Sequence, residues 1–367
     1  MNSKLKVHFV GTHGVPARYG GFETLADFLS QHLSDEIDLT VYCSGKVYKE
    51  NERLKKYQNA SLIYIPIEAS GFKGIFYDMV SLYRAFRKAD VVVLLGPVGS
   101  GFLTFMNSFF KKRLIINHGG LNEWEREKLH VFQRKYAKFN HKIAAHKATV
   151  NIADNELYRE SLSKNFNVDS VVIRYGGDHV RKISPEERPD LVSKYPFVKE
   201  KYAVSVSRAQ IDNNLHLVLE AFENFGNYKL VLISNWNVSG YGKDLYAKYK
   251  NCPNIILLDA IYDKDSLDFV RGNAHIYIHT HSRCGTAPSL VEAMSLGKAI
   301  VSYDVPTNRE TTHDQAFFFS DSKSLVEILE KLNDEKVRLN EKIMQQIATE
   351  NYTWKIVASQ YTDTIRG

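Results

Sequence analysis

Several short stretches hold residues whose types and order suit the handling of an anion. In Ser282–Asp304, SRCGTAPSLVEAMSLGKAIVSYD, a polar, glycine-containing loop (Ser282–Pro288) runs straight into a helical pattern that stops at Gly297. A helix beginning under such a loop aims unpaired backbone N–H groups, and the positive end of its dipole, at whatever lies in front of it. A diphosphate suits that geometry above all. Glu292 falls one turn into the helix on the loop side, where its carboxylate could accept hydrogen bonds from a ribose. A second stretch, GTHGVPARYGGFETL, places Gly20 and Gly21 at the opening of a helix with Glu23 in its first turn. Its glycines follow neither the GxGxxG nor the GK[ST] pattern, so it is neither a dinucleotide fingerprint nor a Walker loop. Alone, it fits a tight turn with a dipole-compensating glutamate as well as it fits a phosphate cradle. Two such loops facing across a cleft would hold a diphosphate from both sides.

Two single residues add to this set. Arg208 closes a strand-like run in VSRAQIDNN, where a guanidinium would neutralise phosphate charge as a leaving group departs. The plainer reading is a surface arginine at a strand end. His118 follows a strand in INHGG and could hydrogen-bond a sugar hydroxyl, or simply hold the strand end in place. His275, His279, His281 and Cys284 are of metal-ligating types, and strand alternation puts the three histidines on one face. Their spacing matches no zinc template, so no metal is expected. Asp263-Lys264-Asp265 mimics a metal-binding DxD but precedes a helical run, SLDFVRG, and reads as its cap.

The elements that must position these residues alternate between strand and helix patterns. Strand-like runs in the first half are KVHFVG, IDLTVYC, SLIYIPI, DVVVLL, RLIIN, ATVNIA and SVVIRY, separated by helical patterns such as GFETLADFLSQHL and DNELYRESLSKNF. That alternation predicts a parallel sheet covered on both faces. The tract Ile183–Pro196, ISPEERPDLVSKYP, breaks the rhythm and reads as a linker. A second series follows: YAVSVSR, YKLVLIS, NIILLD, AHIYIHT and KAIVSYD, with helices between. The expected fold class is therefore α/β, with two doubly wound parallel-sheet domains spanning residues 1–183 and 197–351. Ligands in such sheets bind beyond the carboxyl ends of the strands. The tail TWKIVASQYTDTIR is one more amphipathic helix.

Composition limits the alternatives. A chain of 367 residues favours two domains, and 44% apolar with 25% charged residues is ordinary globular composition. Cys43, Cys252 and Cys284 are widely spaced and read as free thiols in a reducing compartment. With no signal-peptide core at the N-terminus, the expected location is cytoplasmic. Val91–Phe110 carries no charge, but Gly96, Pro97, Gly99, Ser100 and Gly101 interrupt it, giving a buried strand, a loop and a short helix. The net charge of +6 points to an anionic partner. No nucleic-acid motif is visible, so nucleic acid is not expected. The helical region Glu123–Lys147 carries Arg126, Lys128, Arg134, Lys135, Lys138, Lys142 and Lys147 among Trp124, Phe132, Tyr136 and Phe139. It fits a solvated face, or a basic-aromatic surface resting peripherally on anionic lipid at the inner face of the membrane.

The pattern PSLVEAMSLGKAIVSYD resembles the donor-site signature of family-four retaining glycosyltransferases, with Glu292, Ala293, Met294 and Gly297 matching its Glu-Ala-Met-x-x-Gly helix. GTHGVPARYGGFETL resembles the opening of the branch that includes bacterial polysaccharide rhamnosyltransferases, and IADNELYRESL, VVIRYGGD and YTWKIVASQY match further along. The resemblance implies the GT-B fold, two Rossmann-like domains facing across a cleft, with the C-terminal helix (352–367) packed back on the first. It implies that Gly20 and Gly21 meet the donor phosphates and that Arg208 pairs with the diphosphate. Gly285, Thr286 and Ala287 would offer backbone N–H groups, Glu292 would meet the ribose, and His118 would sit near the transferred sugar. Cys284 stands where the broad family has a glutamate, Asn213 where it has a lysine, and Gly119–Trp124 replaces Asp-Gly-Leu-Glu-Trp. The implied activity is metal-independent, retaining transfer from a nucleoside-diphosphate sugar to a lipid-linked surface-polysaccharide precursor. dTDP-rhamnose is the first expectation for the donor and a UDP-hexose the second. A nucleotide-sugar epimerase, or a non-catalytic nucleotide-sugar or glycan-binding protein, are the rival readings.

Overall fold

Runs of β-branched and aromatic residues that can bury both faces become the central strands here, as parallel sheets require. The computed structural model describes residues 4–18, 20–120, 122–125 and 130–367. The chain divides into two units, residues 1–175 with 354–367, and residues 176–353.

Among the described residues the first unit is built on eight strands: β1 Leu5–Val10, β2 Ile37–Ser44, β3 Lys56–Tyr57, β4 Ala60–Ile65, β5 Val91–Leu95, β6 Arg113–Asn117, β7 Val150–Ala153 and β8 Val171–Val172. They lie in the order β3-β4-β2-β1-β5-β6-β7-β8. All pairings are parallel except β3–β4, a two-residue antiparallel edge that the sequence pattern does not signal. The order reverses between β1 and β5, which pair in parallel from Val7↔Val91 to Val10↔Leu94. The loops leaving those two strands therefore flank the topological switch point, where doubly wound sheets bind ligands. The glycine loop 11–20 is one of them. The helix Trp354–Arg366 belongs to this unit: Trp354, Val357, Tyr361 and Ile365 are buried in the same core as Val7, Phe9 and Leu29. Trp354 stacks on Phe28 with ring centroids 4.4 Å apart.

The second unit has six strands: β9 Tyr202–Val206, β10 Lys229–Ser234, β11 Ile255–Asp259, β12 Ile276–His279, β13 Ala299–Tyr303 and β14 Phe317–Phe319. Their order is β11-β10-β9-β12-β13-β14, parallel throughout. This is the doubly wound order 3-2-1-4-5-6, with the switch point between β9 and β12. Three residues are too few for β14 to show a period, and it too goes unsignalled in the sequence.

The boundary differs from the expected one. The tract Ile183–Pro196 is part of the second unit rather than a linker. Ile183 is buried and its carbonyl accepts from Asn273 Nδ2 at 2.8 Å, while Arg188 Nη1 lies 3.0 Å from Asp265 Oδ2. Low periodicity marked this tract as loose, but its hydrogen bonds anchor it to the helix Lys264–Gly272. Val91–Phe110 forms β5, a loop, a 3₁₀ segment (Gly101–Met106) and a short helix (Asn107–Phe110). Among the described residues no helix is long and apolar enough to cross a membrane. The basic-aromatic region is a 3₁₀ turn at Glu123–Glu125 and a helix at Val131–Lys147, with Arg126 and Lys128 outside the described residues.

Candidate functional site

In the second unit, the two loops at the switch point are tied together. Ser207 Oγ and His281 Nε2 are 2.9 Å apart, and the Asp212 carbonyl accepts from both the Ser282 N–H (3.1 Å) and the Ser282 hydroxyl (2.7 Å). Asn214 Nδ2 donates to the Thr280 carbonyl and Asn308 Nδ2 to the His281 carbonyl. Arg208 thus sits in a turn fixed against the loop that carries Gly285, Thr286 and Ala287. Asn213, at the position where the family pattern has a lysine, donates from Nδ2 to the Arg208 carbonyl at 2.8 Å. It shapes the turn instead of adding charge. The Arg208 side chain is exposed and, among the described residues, its guanidinium has no ion-pair partner.

The helix below this loop runs Pro288–Ser295, with proline at its first turn and no side-chain cap at Ala287. Proline there is pre-set for helix and removes one N–H that would otherwise be orphaned. The backbone N–H groups of Gly285 and Ala287 have no protein acceptor among the described residues. Free amides at the start of a helix suit an anion.

Glu292 does not project unaccompanied from this helix. Its Oε2 accepts from Arg271 Nη1, and its Oε1 lies 3.2 Å from His179 Nε2. Arg271 Nη2 donates to Asp268 Oδ1 at 2.8 Å, and Asp268 Oδ2 accepts from the Arg181 N–H at 3.0 Å. The Arg271 side chain is only 3% exposed. Burial works against ionisation of Glu292, but the Arg271 guanidinium and His179 outweigh it and hold the carboxyl at about 2. The carboxylate is therefore charged, and each oxygen keeps acceptor capacity beyond its protein partner. Gly177 explains part of the VVIRYGGD motif: a Cβ there would lie 2.6 Å from the Val291 carbonyl, so only glycine lets this strand-end segment press against the helix. His179, Arg271 and Asp268 were not singled out from sequence. The one signal was an arginine on the buried face of SLDFVRG.

In the first unit, the glycine loop is held by its neighbours. Glu23 Oε1 accepts from the His13 N–H at 2.9 Å and from Thr12 Oγ1 at 3.3 Å. Asp27 Oδ2 accepts from the Ala17 N–H at 2.7 Å, and Tyr77 donates to the Thr12 carbonyl at 2.9 Å. Glu23 is thus the staple of the loop as well as an acidic residue in the first helical turn. Gly20 has φ of 116° and caps the helix Gly21–His32 with no side chain. A Cβ on Gly20 would stand 2.1 Å from Glu23 Oε2, whereas one on Gly21 would meet open space. The first-turn N–H groups therefore stay approachable.

His118 is fully buried. Asn151 Nδ2 donates to the Ala145 and Asp169 carbonyls, so its Oδ1 faces His118 as acceptor, 2.8 Å from Nε2. That places the His118 proton on Nε2 and leaves Nδ1 to accept from His141 Nδ1 at 3.2 Å. A sugar hydroxyl would have to replace one of these bonds to reach the ring. Burial pushes the His118 pKa from the ordinary 6.5 to about 4, opposed by the bond to Asn151. The unfolded chain then binds more protons than the folded one between those values, so stability falls as pH drops from about 6.5 towards 4. The contribution is on the order of 3 kcal/mol. A denaturant series over that range should show a shallower pH slope in His118→Gln. Equal slopes would remove His118 as a cause.

The histidine and cysteine set divides. His275 lies at the other end of β12, 5.7 Å in ring centroids from Tyr228. The ligand atoms of His279, His281 and Cys284 all lie within 4.8 Å of one another. Asp263 accepts from the Ser266 N–H at 2.9 Å and caps the helix Lys264–Gly272.

Two units of this topology, each with its loops at a switch point, give the chain the GT-B fold. Anabaena HepE in complex with UDP has the same fold at TM-score 0.74 and 13% identity, covering 99% of each chain. Sucrose-phosphate synthase from Thermosynechococcus elongatus matches at TM-score 0.78 and 12% identity, covering 99% of this chain and 98% of that one. The trehalose 6-phosphate synthase of Burkholderia multivorans matches at 0.71 and 10%, over 99% and 98%. Residues 187–350 match the family model described as Glycosyl transferases group 1. Residues 4–178 match a model described as a domain of unknown function, DUF1972. None of the curated proteins matches the chain by sequence.

Proposed function

We propose that the chain is a retaining glycosyltransferase that moves a sugar from a nucleoside diphosphate onto a lipid-linked surface-polysaccharide precursor. The observation that carries this reading is the exposed Arg208 guanidinium, without an ion-pair partner among the described residues, on a turn fixed beside the loop Ser282–Pro288 in the segment that matches the group 1 glycosyltransferase model. In this reading Arg208 and the N–H groups of Gly285, Thr286 and Ala287 receive the diphosphate, and Glu292 the donor ribose. In the first unit, Gly20 and Gly21 open a helix whose N–H groups suit an anion, and His118 holds the end of β6. Arranged positive charge then does for the departing diphosphate what Mg²⁺ does elsewhere, with no metal needed for transfer. The resemblance to rhamnosyltransferases favours dTDP-rhamnose as donor, while complexes of HepE with UDP and UDP-glucose favour a UDP-hexose.

A lipid-linked acceptor is supported by the first unit's surface. On the helix Gly71–Lys88, Phe72, Phe76, Met79 and Tyr83 recur along one face and are exposed. Phe105 and Phe109 are exposed beside it, where Tyr83 meets Phe110 edge-on at 6.0 Å. On the helix Val131–Lys147, Phe132, Tyr136 and Phe139 are exposed among Lys135, Lys138, Lys142 and Lys147. Exposed aromatics interleaved with lysines suit an anionic membrane face, peripheral and on the cytoplasmic side.

The test is incubation with dTDP-rhamnose or UDP-hexoses, with and without a lipid-linked glycan acceptor in anionic vesicles. Transfer that needs the acceptor and keeps the anomeric configuration supports the proposal. Epimer formation from donor alone would favour an epimerase of the same fold, and binding without turnover a non-catalytic protein.

A further inference from the structure

We propose that His279, His281 and Cys284 form a binding site for a thiophilic divalent cation of the Zn²⁺ class, within the second unit. Linear spacing argues against such a site, since His-x-His-x-x-Cys belongs to no zinc template. The fold overrides that objection. β12 ends at His279, the chain turns at Thr280, and the following loop folds back because Ser282 is bonded twice to the Asp212 carbonyl and the His281 carbonyl accepts from Asn308. One nitrogen from each histidine and the Cys284 sulfur come within 4.8 Å of one another as a result. The two imidazoles meet edge to face, with centroids 4.6 Å apart.

A second observation points to a ligand. His279 is 1% exposed, and its Nε2 is buried with no hydrogen-bond partner among the described residues. A buried ring nitrogen left without a partner costs free energy, and metal ligation satisfies it. The His281 ring is fixed in orientation by its Nε2 contact with Ser207 Oγ at 2.9 Å. Fixing the ring in this way is how a metal-ligating histidine is normally oriented.

The donor set selects the ion. Two imidazoles and a thiolate are borderline-to-soft ligands that suit Zn²⁺ and disfavour Mg²⁺ or Ca²⁺, which take oxygen. Tetrahedral zinc would space such atoms roughly 3.3–3.6 Å apart, so side-chain rotation of about 1 Å closes the triad. Ligation releases the Cys284 thiol proton to solvent and forms a metal–sulfur bond, with no change of oxidation state. Three protein ligands leave a fourth position for water or an anionic oxygen. Because Cys284 and Gly285 are adjacent, an ion held here would fix the loop that carries the amide donors.

The experiment uses the full chain, stripped of metal and titrated with Co²⁺ as a spectroscopic substitute for Zn²⁺. A thiolate-to-Co²⁺ charge-transfer band saturating at one ion per chain, and displaced by Zn²⁺, is expected. The band should vanish in Cys284→Ser and persist in Cys252→Ser, and Zn²⁺ should raise the melting temperature of the wild type but not of Cys284→Ser. No band in the wild type, or a band that survives in Cys284→Ser, overturns the proposal. Circular dichroism of the variants separates lost binding from lost folding. Donor binding is scored separately in metal-free protein, so failure here leaves the transferase reading to its own test.

Discussion

Arg208→Ala should lower sugar transfer by about 10²–10³-fold while leaving the protein as stable as before. The magnitude is that of removing one preorganised donor from the place where negative charge develops. The guanidinium is exposed and has no partner among the described residues, so its loss breaks no structural bond. Surface changes of that kind stay within about 0.5 kcal/mol. The turn survives because it is held through backbone: Asn213 and the Gln210 N–H both donate to the Arg208 carbonyl, which alanine also has. Arg208→Lys should recover part of the rate, since a point charge remains but the bidentate fork does not. Steady-state kinetics with saturating acceptor, paired with a denaturant melt, tests this. Unchanged kcat/KM would remove Arg208 from the mechanism, and a large loss of stability would make it a structural residue.

Glu292→Ala should act in the opposite way, weakening the fold of the second unit first. Arg271 and Glu292 are 3% and 15% exposed, and Asp268 is the other carboxylate on the guanidinium. Removing Glu292 leaves a buried cation short of a partner and takes one carboxylate oxygen away from His179. Breaking a buried pair from one side costs about 3–5 kcal/mol. Urea unfolding followed through Trp236, buried in the second unit, measures this. The pH dependence has a definite sign. The Glu292 carboxyl is depressed from the ordinary 4.5 to about 2, so its stabilisation is complete above 4.5 and is lost as pH falls towards 2. Glu292→Ala should lack that component of the acid slope. A variant as stable as wild type, with the same slope, would show that the Arg271 charge is solvated by other means.

Much of this architecture was legible in the amino-acid order. RLIIN is β6 residue for residue, and GFETLADFLSQH is the helix that follows the first glycine loop. The first is a continuous apolar run and the second an amphipathic one, and both patterns are carried by neighbouring residues. The switch-point loops were legible too, because glycines and a proline mark helix starts locally. What escaped was short or nonlocal. Lys56–Tyr57 and Phe317–Phe319 are below the length at which alternation shows. His118 finds His141 and Asn151 across 23 and 33 residues, and Arg271 finds Glu292 across 21, so nothing in the order announces either pairing. For the same reason the role of Glu292 was read from its place on the helix alone, without the cation that holds it.

The return of the helix Trp354–Arg366 to the first unit makes residues 176–353 an insertion within another folding body. During synthesis, then, the inserted unit is complete before the one that precedes it. Until Trp354 has left the ribosome, Phe28 lacks its stacking partner and the earlier sheet has an open apolar face. The order of maturation on the ribosome is therefore expected to be reversed, second body before first, against the usual N-to-C sequence.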